Sequence, residues 1–179
     1  MRINKTMTIA FVVLLGAYTN VYARDNYYVE TDPFAFAFGG YSLHLGRDFG
    51  EVRTQVGVFS ANYPNFMKNN TNFAVKMQGY GAKFDYYGQK SAGWFVGVSM
   101  SSNRVKYTLS SSGDSITQNQ LLGSVRAGYR FEFAKRFYVA PWLSLGQDLL
   151  TPRTVIINDQ LYRKHNWVPF ATVHLGAKF

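Results

Sequence analysis

Cysteine is absent from all 179 residues, which removes disulfides, thiolate metal ligands and cysteine nucleophiles together. Acidic residues are scarce, 10 against 19 Lys and Arg, so the formal charge is +9. The three histidines, His44, His165 and His174, have no metal-ligand spacing, and no metal is expected. No glycine-rich loop follows a strand and opens a helix, so nucleotide binding is not supported and no cofactor is expected. Beyond the first two dozen residues no run approaches the roughly 20 apolar residues that a helix needs to cross a bilayer. If the rest of the chain enters a membrane, it must do so as a closed β-barrel, because only closure leaves no backbone group unpaired in lipid.

What is present begins with a leader. Arg2 and Lys5 precede an apolar run, Met7 to Ala17, and Val21-Tyr22-Ala23 offers small residues at the positions that a signal peptidase inspects. The run is too short for a spanning helix. Residues 1–23 are therefore expected to be a cleaved signal peptide, and residues 24–179 a barrel domain beginning at Arg24. Loss of Arg2 and Lys5 lowers the charge from +9 to +7. For an exported basic protein, anionic lipid or lipopolysaccharide is a better expected partner than nucleic acid. A monomer is expected.

Aromatics and glycine are plentiful: 15 Phe, 13 Tyr, 3 Trp and 16 Gly. Aromatics favour strands, and glycine marks turns and crowded barrel positions. The apolar pattern has period two. In the last strand Trp167, Pro169, Ala171, Val173, Leu175, Ala177 and Phe179 share one face, with Thr172, His174, Gly176 and Lys178 on the other. The same split places Val125, Tyr129 and Phe131 opposite Arg126, Arg130 and Glu132. Trp94, Val96, Val98 and Met100 lie opposite Gly97 and Ser99, and Val52, Val56 and Val58 opposite Arg53 and Gln55. Leu43 and Leu45 lie opposite Ser42 and His44, and Val139, Leu143 and Leu145 opposite Tyr138, Trp142 and Ser144. Lipid outside and polar filling inside is the pattern of a transmembrane barrel.

Two segments are irregular. Between Phe73 and Tyr87 the apolar parity flips past Gly79-Tyr80-Gly81, and a bulge there is expected. The first strand is placed within Tyr27 to Phe38, with Phe34, Phe36 and Phe38 on one face, and Gly39-Gly40 is read as a tight hairpin turn. Pro33, Glu30 and Asp32 blur its start.

The fold class expected is all-β, an eight-stranded antiparallel up-and-down transmembrane β-barrel. Short links fall at Arg47–Gly50, Gly88–Ala92 and Ala134–Arg136, and long ones at Asn62–Asn72, Ser110–Asn119 and Gln147–Asn166. Outer-membrane barrels keep short turns in the periplasm and long loops outside, which predicts both termini periplasmic. An eight-strand alternative with a strand inside Pro152–Arg163 puts the long loops on the wrong side. Phe84, Tyr86, Tyr87, Phe131, Phe133, Phe137, Tyr138 and Phe179 would form the periplasmic aromatic girdle.

With its leader, its eight short strands and the closing Val173-His174-Leu175-Gly176-Ala177-Lys178-Phe179, the chain resembles the small outer-membrane barrels of the OmpA/OmpX-like superfamily. The resemblance covers the whole mature chain and is architectural. It implies that the strand ending in Phe179 is read by the barrel assembly machinery. No functional residue transfers with it.

The strand faces put Arg53, Lys83, Asp85, Arg126, Arg130, Glu132 and Lys178 inside, where an eight-stranded barrel is only wide enough for side chains. An ion-pair plug is expected rather than a charged pore. Ser42, His44 and His174 also face inward, and some small barrels modify lipid A with serine, histidine and an acid. Residues two apart on a strand face are roughly 7 Å apart, too far for a nucleophile–base hydrogen bond. The deacylase order, His-x-Ser followed by Asn, is missing, since Ser42-x-His44 runs the other way. His165 is expected in solvent. Arg104, Lys106, Arg153, Arg163 and Lys164 cluster at the outer rim and loops as candidate contacts to lipopolysaccharide phosphates. The apolar Val155-Ile156-Ile157 would extend a β-ribbon above the membrane.

The leading expectation is a non-enzymatic envelope protein, structural or adhesive. A lipid A-modifying barrel enzyme is second and a periplasmic lipocalin-like barrel third. The third needs the apolar residues inside, which the aromatic and aliphatic faces oppose.

Overall fold

Alternating faces become eight paired strands because each ladder hydrogen bond leaves side chains on opposite sides of the sheet. The computed structural model describes residues 27–88 and 92–179, so the expected leader and its cleavage site lie outside the described residues. In chain order the elements are β1 (Tyr27–Thr31), α1 (Pro33–Ala37), β2 (Tyr41–Phe49), β3 (Val52–Asn62), β4 (Phe73–Tyr87), β5 (Gly93–Leu109), β6 (Ser115–Phe133), β7 (Phe137–Asp148), β8 (Thr154–Ile157), β9 (Gln160–Arg163) and β10 (Val168–Lys178). Strands β1 to β7 are sequential neighbours, and β10 closes the ring between β7 and β1. Every pairing is antiparallel, which gives the eight-stranded up-and-down barrel; β8 and β9 form a separate hairpin.

The expected first strand stops short. After Thr31 the chain turns into α1 instead of running on to Phe38. Asp32 caps this helix, its side chain accepting from the Phe34 amide at 2.8 Å, and Pro33 fills the first helical position, where a missing N–H costs nothing. Asp-Pro is therefore a helix start, and the phenylalanine alternation beyond it is accidental. Gly39-Gly40 is not a hairpin turn either. It joins α1 to β2, with Gly39 at φ +69° and Gly40 pressed against the Ser60 backbone, where a Cβ would collide.

The expected bulge in β4 is also absent. The strand pairs without interruption through Phe59↔Gly79, Val58↔Tyr80 and Gly57↔Gly81, and equally with β5. The parity flips because the environment inverts. Near the short turns, odd-numbered β4 residues such as Lys83 and Asp85 face a polar lumen. Near the long loops the same inward face carries Phe73, Val75 and Met77, which join an apolar core above the lumen.

That core reflects an uneven wall. Strands β5 and β6 run for 17 and 19 residues, against 5 for β1 and 9 for β2. Half of the expected loop Ser110–Asn119 is strand, and only residues 110–114 link β5 to β6. Val105, Tyr107 and Leu109 from the tall wall meet Phe73 and Val75, and the β8–β9 hairpin folds over them with Val155, Ile157 and Tyr162. The hairpin is the expected ribbon. Asn158 and Asp159 form its turn with φ of 48° and 60°, the left-handed pair that two-residue hairpins favour.

Polar clips hold the hairpin down. Asn69 and Asn70 donate to the Arg163 and Leu161 carbonyls at 2.7 and 3.1 Å, and Asn158 donates to Asp114 at 2.6 Å. Hydrogen bonds from Ser112 and Asn158 hold the Asp114 carboxyl below its ordinary range. A carboxyl with a depressed folded-state pKa stabilises above its unfolded value, and that contribution is lost as pH falls through the folded one. Amide exchange in residues 154–163 is therefore expected to quicken below the ordinary aspartate range, and Asp114→Asn to flatten the response.

Outward, the barrel wall is apolar: Leu45, Val56, Phe84, Val96, Val98, Val125, Leu143 and Leu175 are all exposed. Aromatic rings bound this band. Phe49, Tyr86, Trp94, Phe131, Phe133, Phe137 and Phe179 lie toward the short turns, and Tyr41, Tyr80 and Trp167 toward the long loops. Phe84 lies within the band rather than in the girdle, while Tyr87 and Tyr138 point inward and are buried.

Candidate functional site

The lumen is the only place where the fold concentrates buried charge among the described residues. Arg53, projecting inward from β3, is 1 % exposed. Its Nε and Nη2 donate to the two carboxylate oxygens of Asp48 at 2.6 and 2.9 Å, a bidentate pair. Nη1 donates to the Tyr87 hydroxyl at 3.3 Å and lies 3.7 Å from Glu30. The guanidinium also lies over the Tyr28 ring at 4.1 Å. Arg130 lies over the Tyr138 ring at 3.6 Å and reaches Glu132 at 3.5 Å and Asp48 at 4.0 Å. Glu132 also takes Lys178. Higher up, Arg126 meets Asp85 at 3.3 Å and rests 4.2 Å over Trp142.

The seven expected interior residues all follow the inward face of their strands, Glu132 being exposed at the short-turn end, and six of them join ion pairs. Lys83 does not: it is buried without a hydrogen-bond partner, 5.3 Å from the Trp142 ring. Two central acids were missed by sequence reasoning. Glu30 accepts from the Tyr138 hydroxyl at 2.7 Å, lies 2.8 Å from His174 Nδ1 and neighbours Arg53. Asp48 anchors Arg53. Both follow the inward parity of their strands, Tyr28 to Glu30 and His44 to Asp48, and that alternation was the available signal.

Close filling requires glycine where a ring lies flat on the wall. Gly57 sits under the His44 imidazole and Gly176 under the Tyr138 ring, and a Cβ at either position would overlap its neighbour. His44 and His174 stack at 5.1 Å between centroids, and Trp142 meets His174 edge-on at 5.3 Å.

The candidate catalytic set does not assemble. His174 has an acid partner in Glu30, but Ser42 Oγ and His44 Nδ1 are both buried without hydrogen-bond partners, so neither serves the other. Ser42, His44 and His174 are each 5 % exposed or less and face the lumen. Among the described residues no cluster of three His, Asp or Glu side chains is placed to hold a metal.

The loop cations divide. Lys164 is drawn into the mouth, where its ammonium reaches Asp148 at 3.0 Å, Gln118 at 3.2 Å and Thr151. It staples the long loop to the barrel rim and is not available as a phosphate contact. Arg153 and Arg163 are exposed on the hairpin, His165 is exposed beyond it, and Arg104 and Lys106 are exposed on the outer wall of β5.

No protein-family pattern and no curated protein matches this sequence. Solved structures do resemble it. Neisserial surface protein A aligns with a TM-score of 0.53 at 15 % identity, over 86 % of this chain and 97 % of that one. The N-terminal β-barrel domain of Pseudomonas aeruginosa OprF aligns with a TM-score of 0.50 at 14 % identity, over 87 % and 98 %. Both are small eight-stranded outer-membrane barrels, and at these identities the likeness is one of fold.

Proposed function

We propose that this chain is a structural or adhesive outer-membrane protein that acts through its outer face and conducts nothing through its centre. In this reading the long loops lie outside the cell, both termini are periplasmic, and the partners are outer-membrane lipid and lipopolysaccharide. The observation that carries it is the double closure of the barrel. Arg53, Arg126 and Arg130 with their carboxylates fill the lumen, and the Phe73–Tyr162 apolar core caps it. A solute entering would have to break buried ion pairs, each costly to separate. What remains accessible to a partner is the loop surface with Arg153 and Arg163, the exposed Phe66 and Leu150, and the outer wall.

Two readouts test this. Purified protein in planar bilayers is expected to give no conductance steps, and lipid A from cells with and without the protein is expected to show the same acyl count by mass spectrometry. Steady single-channel currents would replace the plug with a pore. An acyl count that changes, and reverts on His174→Ala, would make the chain an enzyme. The periplasmic lipocalin-like reading is opposed by the exposed apolar wall and would require a barrel that stays monomeric in water without detergent.

A further inference from the structure

Above the outward apolar band the wall turns basic in one place. Lys76 on β4 and Lys106 on β5 are direct cross-strand partners, and Arg104 follows two residues along the same outward face. All three are exposed. Among the described residues none of them forms an ion pair. Their outward neighbours in register, Gln78, Asn119, Thr117 and Thr108, bring no carboxylate.

Like charges placed directly opposite on a sheet destabilise it, because their Cβ atoms are only about 5 Å apart. A solvated face would avoid this arrangement, and edge protection does not explain it. Lys76 is paired on both sides, with Asn62 of β3 and Lys106 of β5, so there is no open edge to guard.

Height identifies the occupant. Tyr80 and Ser102 pair at the top of the apolar band. Arg104 and Lys106 lie two and four residues beyond, roughly 7 and 13 Å along the strand. Strand tilt reduces this to roughly 5 and 10 Å of rise. The polar interface of one leaflet is about 5–8 Å deep, so long basic side chains bent toward the bilayer end among its headgroups. The outer wall at this level touches lipid, whereas a soluble partner approaches from the loop tips.

We propose that Lys76, Arg104 and Lys106 form a clamp on the outer barrel wall for the phosphate groups of a lipid in the outer leaflet, of the lipid A type. The clamp rests on the outer-membrane reading above, since it needs the long-loop end in that leaflet. An anion between Lys76 and Lys106 converts their repulsion into shared attraction. Arg104 adds a bidentate contact nearer the hydrocarbon.

The test uses the whole barrel in phosphatidylcholine nanodiscs doped with bis-phosphorylated or with dephosphorylated lipid A. Lipid retained after transfer to detergent is counted by native mass spectrometry. The wild type is expected to retain the phosphorylated lipid preferentially, with retention falling as salt rises. The triple variant Lys76→Gln, Arg104→Gln, Lys106→Gln is expected to lose about a hundredfold in affinity, since each basic residue near a charged surface is worth roughly a factor of five. The loop variant Arg153→Gln, Arg163→Gln should retain the lipid, and inorganic phosphate should not displace it.

Thermal unfolding supplies an independent sign. Lys106→Gln should raise the midpoint in lipid-free detergent, by relieving the repulsion, and lower it relative to wild type once lipid A is added. A triple variant that folds and binds like wild type would overturn the clamp. If the loop variant alone lost the lipid, lipopolysaccharide contact would stand and the wall site would fall. If free phosphate competed effectively, the site would be a simple anion site and the lipid assignment would fail. Equal retention of both lipids would overturn the clamp and the lipopolysaccharide reading together.

Discussion

Arg53→Leu is expected to destabilise the folded barrel by about 3–5 kcal/mol, the cost of leaving buried charge without its partner. Urea unfolding in lipid vesicles, followed by tryptophan fluorescence, would measure it. The magnitude follows from position. Arg53 satisfies both oxygens of Asp48, faces Glu30 and lies over Tyr28, so its removal leaves Asp48 with only the more distant Arg130 and Glu30 with only His174 and Tyr138. The Arg126–Asp85 pair is simpler and supplies the contrast. Removing Arg126 alone should be costly, whereas Arg126→Leu with Asp85→Leu should cost much less, because neither member of the pair is then left without the other. Equal losses for the single and double variants would mean that packing, and not charge pairing, holds the lumen.

The second large effect lies in the mouth. Phe73 is 0 % exposed, with the Tyr162 ring edge-on at 5.4 Å. Phe73→Ala should cost about 3–5 kcal/mol where it packs, through lost burial and the cavity left behind. That cost falls on the hairpin before it falls on the barrel. Strands β8 and β9 pair only with each other and are held by the apolar core and a few polar clips, so they can open while the barrel ladder stays closed. Hydrogen exchange in residues 154–163 should accelerate by roughly a hundredfold to a thousandfold, since each 1.4 kcal/mol is a factor of ten, while exchange in β7 and β10 stays slow. Uniform acceleration around the ring would show that the mouth and barrel unfold as one unit.

The Arg53 network shows how far alternation carries and where it stops. Arg53, Arg126, Arg130 and Lys178 could be placed inside because their neighbours along each strand are plainly apolar. Glu30 and Asp48 obey the same rule, but the first lies two residues before a helix cap and the second in a predicted turn, so proximity to an element end hid them. Lys164 was misplaced for another reason. A loop lysine reads as solvated until a carboxylate from a different strand, here Asp148, comes within reach, and loop sequence does not encode that distance. The cap residues Asp32 and Pro33 were legible in principle, since side-chain capping and a fixed φ are local physics. They were outweighed by three phenylalanines in apparent alternation.

Period-two patterning by itself determined the fold class, the number of barrel strands and the face presented along most of them, because a one-residue shift would put every apolar side chain on the wrong side. Tertiary structure alone decided that Phe73 and Val75 turn inward without a bulge, that Glu30 is shared by His174, Tyr138 and Arg53, and that Lys76 lies beside Lys106. The reason is that alternation records only which side of a sheet a residue takes. What occupies that side at a given height depends on how far neighbouring strands rise and on their register, and those are set by pairing between residues distant in the chain.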